Sequence, residues 1–524
     1  TPSTPLPGIA RHAWWLVLLA ALALLWAATE RRVDRVNAVT NFPNWSVDIP
    51  ERSDSSLTGY ESGQRTLIVP RHHNPSYWWI RDAQSAAEAG AIRLRHIDYD
   101  SAPDGRETRR TSPYRWWLTA TGSLYSLLHG EPLGFSIERG ALVADPLLLG
   151  LVLVLGGFYT FREFGPLAAC GFLLAAASIF PLSANFQPGA PDPHSLAWAL
   201  AIASSLPFLA ALQKKDGKAS LVLAGLLGGV GFWNDATSQL PLLLGLTGGA
   251  IVYELLRGRD GAGTINWRYW AAAGAATTLG ASLIEFAPDH LSFSLDSVSP
   301  VHALLWWGCG ELIVFTASIR QGGRSSLDWK QYALIALGLL AIAAWPVAGA
   351  MTDSGLLLAA DFYARELANH PAAGTASSFG DWLREASAGA RFATLLPFAF
   401  LVIPLVLALT GTATPQQRAR LLVLLPALAL AFVLSTQQLR WCNLFNALAL
   451  VAIAQLSSMP RPARPFAYLR PLAYALPAAP GLFVAFPETI DYDNLVIPPL
   501  EKQALVERGS VSASALDNAE AAFL

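Results

Sequence analysis

Charge is what this 524-residue chain has least of: Asp, Glu, Lys and Arg make up only 14% of it, against roughly 25% in soluble domains. With 53% hydrophobic residues and a mean hydropathy of +0.37, an ordinary soluble protein is excluded. The apolar excess belongs against lipid. Neither sign of charge dominates. A net charge of −2 and a pI near 6.5 remove any composition-based case for nucleic acid. Cysteine is scarce as well. Cys170, Cys309 and Cys442 all lie in apolar runs, are too few for a disulfide framework, and read as small buried hydrophobes. No solenoid-type repeat or transporter-like duplication is visible.

What the chain has in abundance is apolar runs near the length needed to cross a bilayer. The first begins at about Trp14. Others centre near Leu151, Leu173, Ala201, Leu226, Leu244, Ala276, Gly310, Ala341, Val402, Leu425, Leu448 and Leu476. The expectation is an all-α polytopic membrane protein with about thirteen spans. Arg11 and His12 precede the first run with no clear cleavage site, so it reads as an anchor.

Sidedness follows from the short loops. Alternate loops carry Lys214, Lys215 and Lys218, then Arg257, Arg259 and Arg268, then Arg320, Arg324 and Lys330. The opposite loops around Gln187, Asp235 and Asp289 carry no Lys or Arg. The positive-inside rule therefore puts the basic loops and the N-terminus in the cytoplasm of a plasma (inner) membrane. Arg31, Arg32 and Arg35 run against this locally. The expected organisation is an anchor helix over 1–30, a first external loop over 31–140, a transmembrane bundle over 141–487, and a short external tail over 488–524. A second external loop falls at about 351–390. The first loop is expected to hold helices at Trp78 to Gly90 and Tyr114 to His129, and a loop this long with its own helices is usually functional.

The remaining charge clusters on the non-cytoplasmic side. The segment from His96 to Arg106 offers Asp98, Asp100 and Asp104. Asp192-Pro193-His194 places a carboxylate and an imidazole two residues apart at a span mouth. In extended chain both side chains then share one side, suited to one divalent cation. The loop after Phe286 supplies Asp289, His290, Asp296 and His302, with Glu311 further into the next span. Arg440 stands at another outer mouth, where a phosphate could be held bidentately. Plainer readings stand beside these. Aspartates favour turns, Asp235 can cap the following helix, and Trp78, Trp79, Trp116 and Trp117 suit a membrane interface. Glu311 reads either as a paired structural carboxylate or as a functional one, since intramembrane acids are costly. Spacing alone fits a metal-assisted reaction on a lipid-linked phosphate, and equally a transporter vestibule.

In order along the chain, these motifs resemble the catalytic subunit of oligosaccharyltransferase, a GT-C membrane glycosyltransferase. Pro113-Tyr114-Arg115-Trp116-Trp117 through His129 is similar to the segment leading into that family's second span. Ala102-Pro103-Asp104-Gly105-Arg106 resembles its Tyr-Pro-x-Gly-Arg element, and Ala190 to His194 falls at its second acidic pair. Ser297-Val298-Ser299-Pro300-Val301-His302 resembles its mobile-loop motif, and Gln438-Leu439-Arg440 lies where a pyrophosphate-contacting arginine is expected. The likeness runs from about Trp14 to Arg470.

The resemblance implies a GT-C-like fold and a sugar donor on polyprenyl phosphate or pyrophosphate. It implies transfer to a protein or glycan acceptor on the non-cytoplasmic face, in an inverting displacement. Mn²⁺ or Mg²⁺ would be held by Asp192, His194 and the Asn74 position. Asp100 or Asp82 would be the acceptor-side carboxylate, and Arg440 would hold the donor phosphate. Arg106, Asp289, His290, His302 and Glu311 are further candidates. The chain departs from the family at three points. Asn74 stands where the first-loop acid belongs, His194 replaces the second acid of the pair, and Pro300 replaces the mobile-loop glutamate. No Trp-Trp-Asp acceptor motif follows the last span, which leaves room for a separate acceptor-binding subunit. These departures keep open a non-catalytic subunit or lipid-glycan binder, and beyond it a transporter or flippase.

Overall fold

The computed structural model describes residues 8–44, 51–61, 76–98, 103–214, 216–257, 265–288, 291, 297–321, 388–410, 414–459 and 470–482, with scattered positions between 330 and 384. Among these the regular structure is helical, apart from one two-stranded sheet. Eight described helices are long and apolar enough to cross a membrane: Ala13–Val33, Leu133–Phe164, Pro193–Ala211, Ala236–Leu256, Pro300–Ile319, Ala388–Leu409, Pro415–Gln437 and Trp441–Ser458. The fold is an all-α, multi-pass membrane fold. The run expected near Leu173 is an apolar helix of only 11 residues, Pro166–Ala176. Those near Leu226 and Ala276 form helices of 17 and 19 residues. Of the run near Ala341, residues 333–338 and 340 are described and helical while 341–350 lie outside the described residues, and the one near Leu476 shows, among the described residues, a short helix over Arg470–Ala475 and a 3-10 turn over Leu476–Ala478.

In chain order the first elements are α1 (Gly8–Asn44), α2 (Ser76–Glu88), the strands β1 (His96–Ile97) and β2 (Arg106–Glu107), and α3 (Pro113–His129). Next, α4 (Leu133–Leu151) runs through a π-helical turn at Val152–Gly156 into α5 (Gly157–Phe164). Then come α6 (Pro166–Ala176), α7 (Leu182–Asn185), α8 (Pro193–Ala211), α9 (Lys218–Asn234), α10 (Ala236–Leu256), α11 (Arg268–Phe286) and α12 (Pro300–Gln321). The last group is α13 (Ala388–Leu395), α14 (Ile403–Thr410), α15 (Pro415–Leu422), α16 (Leu425–Gln437), α17 (Trp441–Ser458) and α18 (Arg470–Ala475).

The chain divides into two compact units. One comprises residues 1–21, 151–182 and 197–481, the other 22–150, 183–196 and 482–524. In the first, α11 packs between α9 and α12. Small residues make that approach possible. A Cβ on Gly225 would run into the Trp270 carbonyl, and one on Gly274 into the Trp306 ring. Lipid supplies little hydrophobic drive between spans, so close backbone contact is what holds such helices together. Helix α17 is buried on nearly every side, from Trp441 to Ser457, as expected of a helix that is apolar all round and central to its bundle.

The second unit holds the first-loop helices, and both fall where the sequence placed them. Helix α2 packs on α3, with the Trp79 ring edge-on to Tyr114 at 5.6 Å. Pro113 opens α3 and Gly130 ends it at φ 69°, its N–H donating to the Ser126 carbonyl at 2.8 Å. A proline at the start suits a position whose N–H has no helical partner, and a glycine just past the end adopts the left-handed cap freely. Between the helices β1 and β2 pair antiparallel, His96 opposite Glu107 and Ile97 opposite Arg106.

Candidate functional site

The second unit carries the Asp-Pro-His turn. Asp192 immediately precedes α8, whose first residue is Pro193, so it occupies the capping position that an aspartate fills well. Its Oδ1 accepts the His194 N–H at 2.9 Å and lies 2.6 Å from the His194 ring Nδ1. A carboxylate only accepts, so Nδ1 carries the hydrogen and ligation by this ring falls to Nε2. The side chains of His194 and Asp192 are 33% and 37% exposed. The segment is not extended as the spacing argument assumed: Asp192 caps the helix, His194 lies in its first turn, and the two donors are bonded to each other. A carboxylate that orients an imidazole through Nδ1 is a familiar outer partner of metal-bound histidine. Among the described residues no three His, Cys, Asp or Glu side chains come together as a metal site.

Behind this turn lies Asp145, a carboxylate buried within the Leu133–Phe164 span. Its Oδ2 accepts the Asp192 N–H at 3.0 Å, and its Oδ1 accepts the Tyr114 hydroxyl at 2.8 Å. Burial, and then the adjacent Asp145 carboxylate, push the Tyr114 phenol well above its ordinary range. Tyr114 therefore remains a neutral donor. The turn is also held by Gly189, whose N–H donates to the Leu142 carbonyl at 3.0 Å, and by Arg32, whose guanidinium donates to the Gln187 side chain. This contact gives Arg32 a polar partner at the end of the Ala13–Val33 span, where the local charge count ran against the rest.

Asp82 is placed differently from its sequence reading as an acceptor-side carboxylate. Its side chain is fully buried on α2 and ion-paired with Arg110 at 3.0 Å. Arg110 in turn lies over the Trp78 ring at 4.8 Å. This arrangement ties the first-loop helices to the segment before α3. Arg106 sits exposed on β2, and the hairpin carries His96 between Asp98 at 3.2 Å and Glu107 at 3.3 Å.

In the first unit the candidates separate. Glu311 receives two parallel bonds from Arg268, Nε to Oε1 and Nη2 to Oε2, each 2.8 Å. It is therefore tied to the starting end of α11, while His302 stands at the start of α12, nine residues before it. His302 is buried, and its Nδ1 accepts the Ser299 N–H at 3.2 Å. Reciprocal bonding between a residue before a helix and one three positions on is how a helix start satisfies its own donors. Asp235 does cap α10, accepting from Thr237 N and Ser238 N. Arg440 precedes α17 and its guanidinium lies 4.4 Å from the Trp441 ring centre. A cation at the start of a helix adds to the positive end of the helix dipole, a setting suited to an anion.

No family model matches this chain, and no curated protein matches it in sequence. Solved structures do match. Archaeal oligosaccharyltransferase AglB from Archaeoglobus fulgidus, in complex with an inhibitory peptide and a dolichol-phosphate, superposes with a TM-score of 0.59 at 14% identity. The match covers 99% of this chain and 60% of that one. The fold is similar to that of an oligosaccharyltransferase. The A. fulgidus oligosaccharyltransferase tethered to an acceptor peptide containing the NVT sequon gives 0.58 at 14% identity, covering 98% and 59%. Its complex with Zn and sulfate gives 0.57 at 14%, covering 97% and 57%. The chain spans about 60% of the length of the AglB structure.

Within this oligosaccharyltransferase-like fold, Asn74, Asp100, Asp289 and His290 lie outside the described residues. Asp145 was not among the residues the sequence singled out. A signal for it exists, since an acid in the middle of an apolar run is costly enough to need a reason.

Proposed function

We propose that this chain is a membrane glycosyltransferase that moves a sugar or oligosaccharide from a polyprenyl phosphate or pyrophosphate to an acceptor on the non-cytoplasmic face. The carrying observation is the fold: nearly the whole chain superposes on a structure solved with a dolichol-phosphate, and a relative of the same fold is solved with an acceptor peptide. Asp192 and His194 would hold a divalent cation, Mn²⁺ or Mg²⁺, with the Asn74 position supplying the first-loop ligand. Bound there, the cation would supply positive charge against the leaving phosphate. Arg440 binds a donor phosphate oxygen, aided by the start of α17. The acceptor-side base in an inverting displacement is Asp100 or Asp82, and the ion pair of Asp82 with Arg110 favours Asp100. A neighbour crystallised with Zn and sulfate fits a fold that accepts a metal and an anion. The membrane is the plasma membrane, with the N-terminus in the cytoplasm.

The test is electron paramagnetic resonance of Mn²⁺ with the purified full chain. Saturable binding that disappears in Asp192→Ala is the expected result. No saturable binding by the wild type, even with polyprenyl phosphate present, overturns the metal-assisted version. The second reading is a non-catalytic subunit that binds a lipid-linked glycan. Asn74 and His194 at the family's acidic positions favour it, as does the lack of a third metal-site side chain among the described residues. Donor binding without turnover identifies that case.

A further inference from the structure

The Asp192 turn takes its shape from residues distant in sequence. Its backbone N–H is held by the Asp145 Oδ2 at 3.0 Å, and the other oxygen of Asp145 accepts from Tyr114 at 2.8 Å. The Asp192 carboxylate is also fastened to its own turn through the His194 N–H at 2.9 Å and ring Nδ1 at 2.6 Å. Rotation of the backbone at 192 therefore swings carboxylate and imidazole together. Asp145 is buried in an apolar span, where a carboxylate is stable only when its oxygens are hydrogen-bonded. Both of its oxygens are so bonded, one to α3 and one to the turn. Tyr114 is fixed in its turn by the edge-on Trp79 ring at 5.6 Å.

We propose that Asp145 is a positioning residue: from inside the Leu133–Phe164 span it sets the backbone of Asp192 and so aims the Asp192–His194 pair. The ligand of that pair is a divalent cation, a part that rests on the function proposed above. Asp145 touches neither cation nor substrate. It links α3, α4 and the turn, so a shift of α3 is carried to the donor pair through Tyr114 and Asp145.

The test uses the full chain in lipid nanodiscs with Asp145→Leu, Asp145→Asn and Tyr114→Phe. Leucine suits an apolar span, so insertion is retained while the Asp192 N–H loses its acceptor. Asparagine keeps both contacts, its oxygen toward the Asp192 N–H and its NH₂ toward the Tyr114 oxygen. Hydrogen exchange over residues 187–196 is expected to rise by about tenfold or more in Asp145→Leu, with Tyr114→Phe between it and wild type, and by under about threefold in Asp145→Asn. Mn²⁺ affinity is expected to fall in the same order, most in Asp145→Leu and least in Asp145→Asn. Wild-type exchange in Asp145→Leu overturns the proposal, and so does an asparagine variant that exchanges as fast as the leucine one. The expected exchange order in a protein that binds no Mn²⁺ supports the positioning role and removes the cation, which separates the two claims.

Discussion

Asp145 and Glu311 are both carboxylates sealed inside apolar spans, each 1% exposed, and opposite means keep them there. Glu311 faces a guanidinium across two parallel bonds of 2.8 Å. Asp145 is met by a phenol and a backbone amide. A bidentate arginine spends both carboxylate oxygens on one side chain, so the pair fastens α11 to α12. Neutral donors arrive singly, so Asp145 reaches a different segment with each oxygen. The charged pair gives local rigidity, whereas the neutral arrangement gives connection. The connection ends at the Asp192 turn.

This contrast can be broken or sharpened by mutation. The largest effect is expected from Arg268→Ala, which strands a buried charge at Glu311 and should cost about 3–5 kcal/mol. The unfolding midpoint of the detergent-solubilised protein checks this. Arg268→Met combined with Glu311→Leu should recover most of the loss; equal loss in the double variant would mean that the pair does more than neutralise itself. Tyr114→Phe should cost less, about 1–3 kcal/mol, because it removes one donor from a buried acceptor. Its pH dependence has a definite sign. The raised phenol contributes stability that is whole below the unfolded tyrosine value near ~10 and is lost as pH rises toward the folded value. A flat stability profile across that alkaline range would contradict it. Asp235→Ala, which removes the acceptor for Thr237 N and Ser238 N, should cost about 1 kcal/mol by the same measurement. The smallest effect is expected at the exposed Arg52–Glu131 pair: Glu131→Gln should change stability by under ~1 kcal/mol, and added salt should erase the difference.

Much of the architecture was legible along the chain. The helices expected at Trp78 to Gly90 and Tyr114 to His129 are Ser76–Glu88 and Pro113–His129, because proline and glycine punctuate them and their apolar faces repeat at helical spacing. The reading of Asp235 as a cap holds for the same local reason. Span counting was coarser. Helix α11 begins with Arg268 and carries Gly274, Thr277, Thr278 and Glu285, so its hydropathy is diluted by residues chosen for contact with α9 and α12. The candidate site was legible in part. The Asp192–His194 spacing was read as extended chain, whereas the pair stands at a helix start and its members are bonded to each other. Asp82, the Glu311–Arg268 pair and the His302–Ser299 cap could not be assigned from spacing, since each depends on which segment stands opposite.

Composition, periodicity and turn residues therefore determined the class of this protein, its helical first loop and the place of its Asp-Pro-His turn. These depend on interactions within a few residues and on the aversion of apolar side chains for water. Only the tertiary structure decided which charges neutralise one another and that Asp145 stands behind Asp192. A hydrogen bond between residues 47 positions apart is decided by how the helices pack, and a one-dimensional pattern carries no record of that distance.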